Sequence, residues 1–161
     1  MASLKQTRGA QWALDAEFIA DISTLANDSM STTFGNTIGG APPVFNAAVV
    51  AIGGVGTNVF EVIGLPPNAI IVGGAVTSEI ATVGPTASTV SVGDQNNATR
   101  YAAAVSLLAA GRTPLTLTGY RGVGENIRIT VANTVAAATA GKFSVRVLYV
   151  VTGKVNEMQA S

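Results

Sequence analysis

The sequence predicts an all-β protein, an antiparallel β-sandwich or jelly roll of about eight strands. Short runs alternate apolar with polar residues, turn-forming residues separate them at intervals of about 8 to 12 residues, and no series of long helices interrupts them. An α/β fold would need regular crossover helices. The 161 residues suit one domain, which we expect at 11–152, between an N-terminal arm at 1–10 and a C-terminal tail at 153–161.

The first predicted strand covers residues 12–22, where apolar residues occupy every even position and Asp15, Glu17 and Asp21 stand between them. A period of two indicates one buried face. A helix is the alternative, since "ALDAEF" contains good helix formers, but helical spacing would put Asp15 beside Trp12. Residues 23–43 lack any period and are rich in Ser, Thr, Asn, Gly and Pro, which predicts a long loop that reaches a neighbour.

The next runs are also short and β-rich. Residues 44–52 and 58–63 flank a glycine turn in a hairpin-like pattern, and two prolines follow at 66–67. The run 70–80 contains Gly73-Gly74, which suggests a bulge or a close backbone approach. Residues 88–94 are another strand, ended by a turn. The segment 100–111 is compatible with a helical turn or with a strand followed by a loop.

Three alternating runs complete the prediction, at 113–119, 125–132 and 142–151. The last of them places Phe143, Val145, Val147, Tyr149 and Val151 on one face. The glycines of "GYRGVG", residues 119–124, lack the strand-to-helix context of a nucleotide-binding loop and therefore predict a turn.

The composition argues against an enzyme. The chain has no cysteine and no histidine, which removes disulfides, thiolate nucleophiles, the usual zinc sites and the commonest general base. Asp15 and Glu17 stand about 7 Å apart on one strand, as in some glycosidases, but on the face predicted to be solvated. We expect no cofactor, no metal and no catalytic residue.

Charge and hydrophobicity favour a protein whose surface is covered by partners. Hydrophobic residues make up 48% of the chain and charged residues 11%, against a usual quarter. The apolar runs are shorter than the roughly 20 residues of a membrane span, and the basic residues are spread singly, so we expect neither membrane nor direct nucleic-acid binding. Residues 1–94 carry a net charge of −5 and residues 95–161 one of +5. Opposite charges then pair within one fold or between copies.

Several segments in linear order resemble small virion structural proteins of tailed bacteriophages. They are "LPPNAIIVGGAVT", "VSVGD", "RY", "AGRTPLTLTGYRGVGENIRITV" and "AATAGKFSVRVLYV", within residues 60–151, and "LKQTRGAQWAL" resembles the opening of such proteins. The closest resemblance is to capsid decoration, or cement, proteins. It implies a β-sandwich made in the host cytoplasm, acting on the capsid exterior as a homotrimer or other oligomer, with the major capsid protein as partner.

The resemblance also directs attention to possible contact residues. We expect Lys5, Arg8 and Trp12 near the N-terminus, and Asn27 and Phe34 in the long loop, to contact the capsid or a neighbouring subunit. Trp12 has a competing interpretation, because its even position phases it with the core. A tail or connector protein and a carbohydrate-binding adsorption module are alternative functions, although exposed aromatic residues for sugar binding are few.

One loop prediction concerns the stretch 119–131. We expect Glu125 to pair with one of three arginines, Arg112, Arg121 or Arg128, and so to fix the shape of the loop. An exposed pair of this kind contributes about 0 to 1 kcal/mol.

Overall fold

The computed structural model describes residues 12–22 and 53–152, and these form two antiparallel four-stranded sheets. Sheet A has the order β1-β8-β3-β6 and sheet B the order β2-β7-β4-β5, the order of a jelly roll. The predicted all-β sandwich of about eight strands is confirmed. The strands are β1 Leu14–Asp21, β2 Gly56–Ile63, β3 Ala69–Val83, β4 Ala87–Gly93, β5 Ala102–Ser106, β6 Gly111–Pro114, β7 Ile127–Thr134 and β8 Ala140–Val151.

The core lies between the two sheets and consists of the inward-facing residues of the alternating runs. Antiparallel pairing sets Val76 opposite Val145 in sheet A and Val90 opposite Val131 in sheet B, and all four side chains are fully buried. A shift of register by one residue would turn every such side chain toward water. Because burying a valine or an isoleucine stabilises the fold by about 1.5 to 3 kcal/mol, the alternation fixes the register.

Strand β1 is buried only toward its C-terminal end. Phe18 is half-buried, while Ala20 and Ile22 are completely enclosed. At the other end Leu14 is 46% exposed and Trp12 is 87% exposed. The even face is therefore the inner one, as predicted, but the core does not extend to Trp12, and of the two interpretations of this residue the surface position is correct.

The structure selects between two alternatives for one predicted segment and differs from the prediction for another. The segment 100–111 contains a strand, β5, followed by a turn, so the helical alternative is wrong. The run 113–119 was expected as a strand because Leu115 and Leu117 alternate with threonines, yet β6 ends at Pro114 and Leu117 is 55% exposed. The pairing of β6 with residues 75–78 of β3, and not its own apolar pattern, determines where the strand lies. Residues 44–52 and the loop 23–43 fall outside the described residues.

The opposite charges of the two halves of the sequence meet within the fold. Each ion pair found among the described residues joins an acid from residues 1–94 to a base from residues 95–161. The pairs are Asp15 with Arg146, Glu61 with Arg128, Glu79 with Lys142 and Asp94 with Arg100. Pairing within one chain, the first of the two interpretations, therefore accounts for much of the asymmetry.

The connections between strands lie at two opposite ends of the sandwich. We call one the uncharged end; it consists of the segments 53–55, 83–86, 107–110 and 135–139. We call the other the polar end; it consists of the loops 64–68, 94–101 and 115–126. Pairing of Leu14 with Tyr149 places the start of β1 and the end of β8 at the polar end.

Candidate binding surfaces

A side-chain network at the polar end joins the loop 94–101 to the loop 115–126. Asp94 is buried and its Oδ1 accepts hydrogen bonds from the backbone N–H of Asn96, at 2.8 Å, and of Asn97, at 2.9 Å. The guanidinium of Arg100 also donates to this carboxylate. Such a turn, closed by its own first carboxylate, is typical of Asp before Asn residues.

Arg100 and Tyr120 link this turn to the glycine-rich loop. The guanidinium carbon of Arg100 lies 3.7 Å from the ring centroid of Tyr120, a cation–π contact. The Tyr120 hydroxyl donates to Glu125 Oε1 at 2.6 Å, and the amide Nδ2 of Asn96 donates to the same oxygen at 3.0 Å. The backbone N–H of Val123 donates to Glu125 Oε2 at 2.7 Å. Both loops are therefore held by one continuous network.

These contacts keep the two carboxylates of the network ionised. Burial alone would raise the pKa of Asp94, but hydrogen bonds from Arg100 and from the Asn96 and Asn97 N–H groups outweigh it, and the pKa is lowered. The Tyr120 hydroxyl, together with backbone donors, lowers the pKa of Glu125. Burial raises the pKa of the adjacent Tyr101 to about 12, so its phenol is neutral. A network of permanent charges beside neutral phenols suits a fixed loop shape, not proton transfer.

The expected pairing of Glu125 with an arginine needs correction. Within the described residues its carboxylate is held by Tyr120, Asn96 and the Val123 N–H, and no arginine forms an ion pair with it. The loop is therefore fixed by hydrogen bonds, and Arg100 contacts the ring of Tyr120 and not the Glu125 carboxylate.

The three arginines expected near Glu125 lie elsewhere. Arg121 donates through Nε to Oδ1 of Asn68 at 3.0 Å, and Arg128 lies 3.6 Å from Glu61. Arg112, on the edge strand β6, makes no ion pair in the part of the chain that the structure describes. The structure thus places these arginines on three separate surfaces.

A shallow groove of about 370 Å³ crosses the outer face of sheet A. Its floor is made of small side chains, Ala75, Thr77 and Ser144, because cross-strand pairing aligns them on β3 and β8. Long charged side chains form the walls. They are Glu17, Glu79, Arg112 and Arg146.

Two of these four charged side chains form ion pairs. Arg146 binds Asp15, which lowers the pKa of the Asp15 carboxyl, and Glu79 lies 2.6 Å from Lys142. No group of three or more acidic, histidine or cysteine side chains within residues 12–22 and 53–152 is placed to hold a metal ion. The groove therefore presents a surface of mixed charge.

Of the five predicted contact residues, Trp12 lies within the residues that the structure describes. It stands directly before β1 at the polar end and is 87% exposed. A large aromatic side chain in this setting has contact area to offer to a partner. The other four predicted contacts, Lys5, Arg8, Asn27 and Phe34, lie outside the described residues.

Sequence reasoning missed two surfaces. The Asp94–Arg100 pair was not anticipated, although an acid and a base bracketing "QNNAT" is a signal of a closed turn. The uncharged end was also missed. Its signal is the absence of any charge from four turns, where charged and polar residues are usual.

In the described residues, no helix has both the length and the apolar character needed to cross a bilayer.

Comparison with known proteins shows the fold without a family. No protein-family model and no curated protein matches the sequence. A chain in the capsid asymmetric unit of cyanophage Pam1 is similar with a TM-score of 0.53 and 22% identity, over 93% of this chain and 94% of that one. A chain in the capsid of Ralstonia phage GP4 is similar with a TM-score of 0.51 and 16% identity, over 94% and 90%. The chain therefore shares its jelly-roll fold, over nearly its full length, with chains of two phage capsid structures.

Proposed function

We propose that the protein is a non-enzymatic capsid decoration protein of a tailed phage, which binds the outside of the shell as an oligomer and stabilises it. The observation that carries this proposal is the likeness of nearly the whole chain to chains in two phage capsid structures. The likeness covers most of each of those chains as well, which favours a part of similar size and shape. The partners are the major capsid protein and further copies of this chain, and the location is the virion exterior.

The polar end supports this function because both terminal segments attach there. Residues 1–11 precede the exposed Trp12, and residues 153–161 follow Thr152, whose N–H donates to the Asn68 carbonyl at 2.9 Å. An end held by a side-chain network, with the exposed Trp12 beside it, can contact a neighbouring protein at several points. We propose that Trp12, with Lys5 and Arg8, contacts the coat protein.

Stabilising a shell requires no reaction. A standard protein interface buries about 1,600 Å², and repeated contacts over a shell add through multivalency. The low share of charged residues, 11%, suits a protein that is covered on several sides in an assembly.

The proposal is tested with capsids of the encoding phage that lack this protein. The purified chain should bind them and raise the temperature at which they release their contents. Copy number in the intact virion, measured by quantitative mass spectrometry, should be on the order of hundreds if the protein repeats over the shell. A few to dozens of copies, or binding to tail tubes or to glycans with no capsid binding, would overturn the proposal in favour of a tail, connector or adsorption protein.

A variant pair tests the contact surface. Trp12→Ala should weaken capsid binding at least about tenfold, because an exposed aromatic anchor is lost without a change in the core. Ile19→Ala is the matched control, since Ile19 lies in the strand that follows Trp12 and is 50% exposed. Equal binding by both variants would remove Trp12 from the interface.

A further inference from the structure

The four segments of the uncharged end together form an apolar surface. Residues 53–55, 83–86, 107–110 and 135–139 contain Gly, Ala, Val, Leu, Pro and Thr and no acidic or basic residue. Four of their side chains are large, apolar and exposed: Val55 at 56%, Val83 at 57%, Leu108 at 40% and Val135 at 81%. Exposed apolar residues scattered singly need no explanation, whereas a group of them at one end of a fold marks an interaction site.

Val135 adds an independent observation. Its φ is 71°, in the left-handed region, which is a clear outlier for a β-branched residue. Glycine or asparagine would adopt this conformation more easily, and either residue would also replace an apolar side chain that is exposed to water. Strained residues of this kind concentrate at functional sites. Val135 therefore combines a backbone conformation that is unfavourable for valine with an apolar side chain that is exposed to water.

The surface is preformed. The backbone N–H of Thr139 donates to the Val83 carbonyl at 2.9 Å, and that of Ala138 donates to the Gly53 carbonyl at 2.8 Å. The Thr82 N–H donates to the Leu107 carbonyl at 2.8 Å. Three of the four segments are therefore linked to neighbouring ones through their backbones, and binding would not have to order them first.

We propose that the uncharged end is the surface through which copies of this chain associate. The inference deepens the proposed function and rests on it, because the proposed function is the reason to expect that copies of this chain associate. In a twofold dimer a surface contacts the same surface of the other copy, and in a ring it contacts a different surface of the next copy. An uncharged surface can face itself without like-charge repulsion, whereas the polar end exposes the charged side chain of Arg121.

Sedimentation equilibrium of the purified full chain tests the inference without any capsid. The wild type should be an oligomer at micromolar concentration, and Val135→Lys should weaken association at least about tenfold because it sets like charges against each other. Val55→Lys is a second variant at the same end, in case the turn at 135 does not tolerate lysine. Val123→Lys is the matched control: Val123 is 78% exposed but lies at the polar end, and this variant should associate like the wild type.

Circular dichroism and thermal unfolding verify that each variant is folded. A wild type that stays monomeric to about 100 μM overturns the inference, and so does an oligomer that folded Val135→Lys and Val55→Lys leave intact or that Val123→Lys dissociates. A monomer that still binds capsids would end this inference and leave the proposed function standing. An oligomer that meets through this end and ignores capsids would do the reverse.

Discussion

The two ends of the sandwich are held together in different ways. At the polar end, side chains that include ionised groups add to the backbone hydrogen bonds, from Asp94 through Arg100 and Tyr120 to Glu125. At the uncharged end, backbone hydrogen bonds join the segments without any charged side chain, and a Cβ on Gly84 would lie 2.4 Å from a backbone carbonyl oxygen. Close backbone packing occurs at both ends, whereas ionised groups connect the loops of the polar end alone. Loops of one fold can therefore be ordered with or without charged side chains.

The largest expected effect on stability comes from replacing a glycine, and one glycine at each end is compared. Gly84→Ala should cost about 4 kcal/mol, because its φ of 113° disfavours a side chain and the new Cβ would overlap the Ala137 carbonyl. Gly119→Ala at the polar end should cost only about 1 kcal/mol, since its φ of 68° is strained for alanine but the space around it is open. Thermal unfolding measures both. Similar losses would show that the close approach at Gly84 adds nothing to the backbone strain.

The next effect concerns the buried carboxylate of the polar end. Asp94→Ala should lower stability by about 3 kcal/mol, and the melting temperature by about 6 to 12 °C, because Arg100 and two turn N–H groups lose their acceptor. Asp94→Asn is the control, since it keeps an acceptor for the turn and removes only the charge, and it should lose less. If chemical denaturation gives equal losses for the two variants, the ion pair and not the turn carries the energy.

The smallest effect is the dependence of stability on pH that the network of the polar end contributes. The pKa values of Asp94 and Glu125 lie below their ordinary values of 3.8 and 4.5 in the folded chain, so their stabilisation is complete above those values and is lost as pH falls through the lowered ones. Melting temperature should therefore decline on acidification below about pH 4.5. Glu125→Gln should lower stability by about 1 kcal/mol at neutral pH and reduce the decline.

Methyl resonances can locate this acid response. Those of Val123, beside Glu125, should shift as the pH falls, while those of Val135 stay constant, because no segment of the uncharged end has a titrating side chain. A shift of equal size at Val135 would contradict the separation of the two ends.

Much of the fold could be predicted from the sequence because most strands carry their own pattern. The alternation in 142–151 and 125–132 identifies β8 and β7, and the prolines after 63 end β2. The strand β6 could not be found in this way: its four residues are all exposed and are held by pairing with β3, a long-range contact that leaves no periodicity. The sequence left two interpretations of Trp12 open for a related reason, since phase shows which face a residue takes but not how far the core extends.

The candidate surfaces were less predictable than the strands. An arginine was expected for Glu125 from charge alone, whereas the structure supplies a phenol, an amide and a backbone N–H. Hydrogen-bond donors without charge are too common in a sequence to point to one partner. The uncharged end needs four distant segments to be brought together, and only the topology of the two sheets shows that they are neighbours.

The position of β8 has a consequence for synthesis of the chain. Strand β8 lies between β1 and β3 and is the last of the described strands to be made, although β1 is the first of them. Sheet A therefore cannot assemble while the chain is still short, and β1 must wait for more than a hundred residues before its partner exists. During that time residues 1–94 carry a net charge of −5. A net charge of one sign opposes the association of unfinished chains until the basic second half is made.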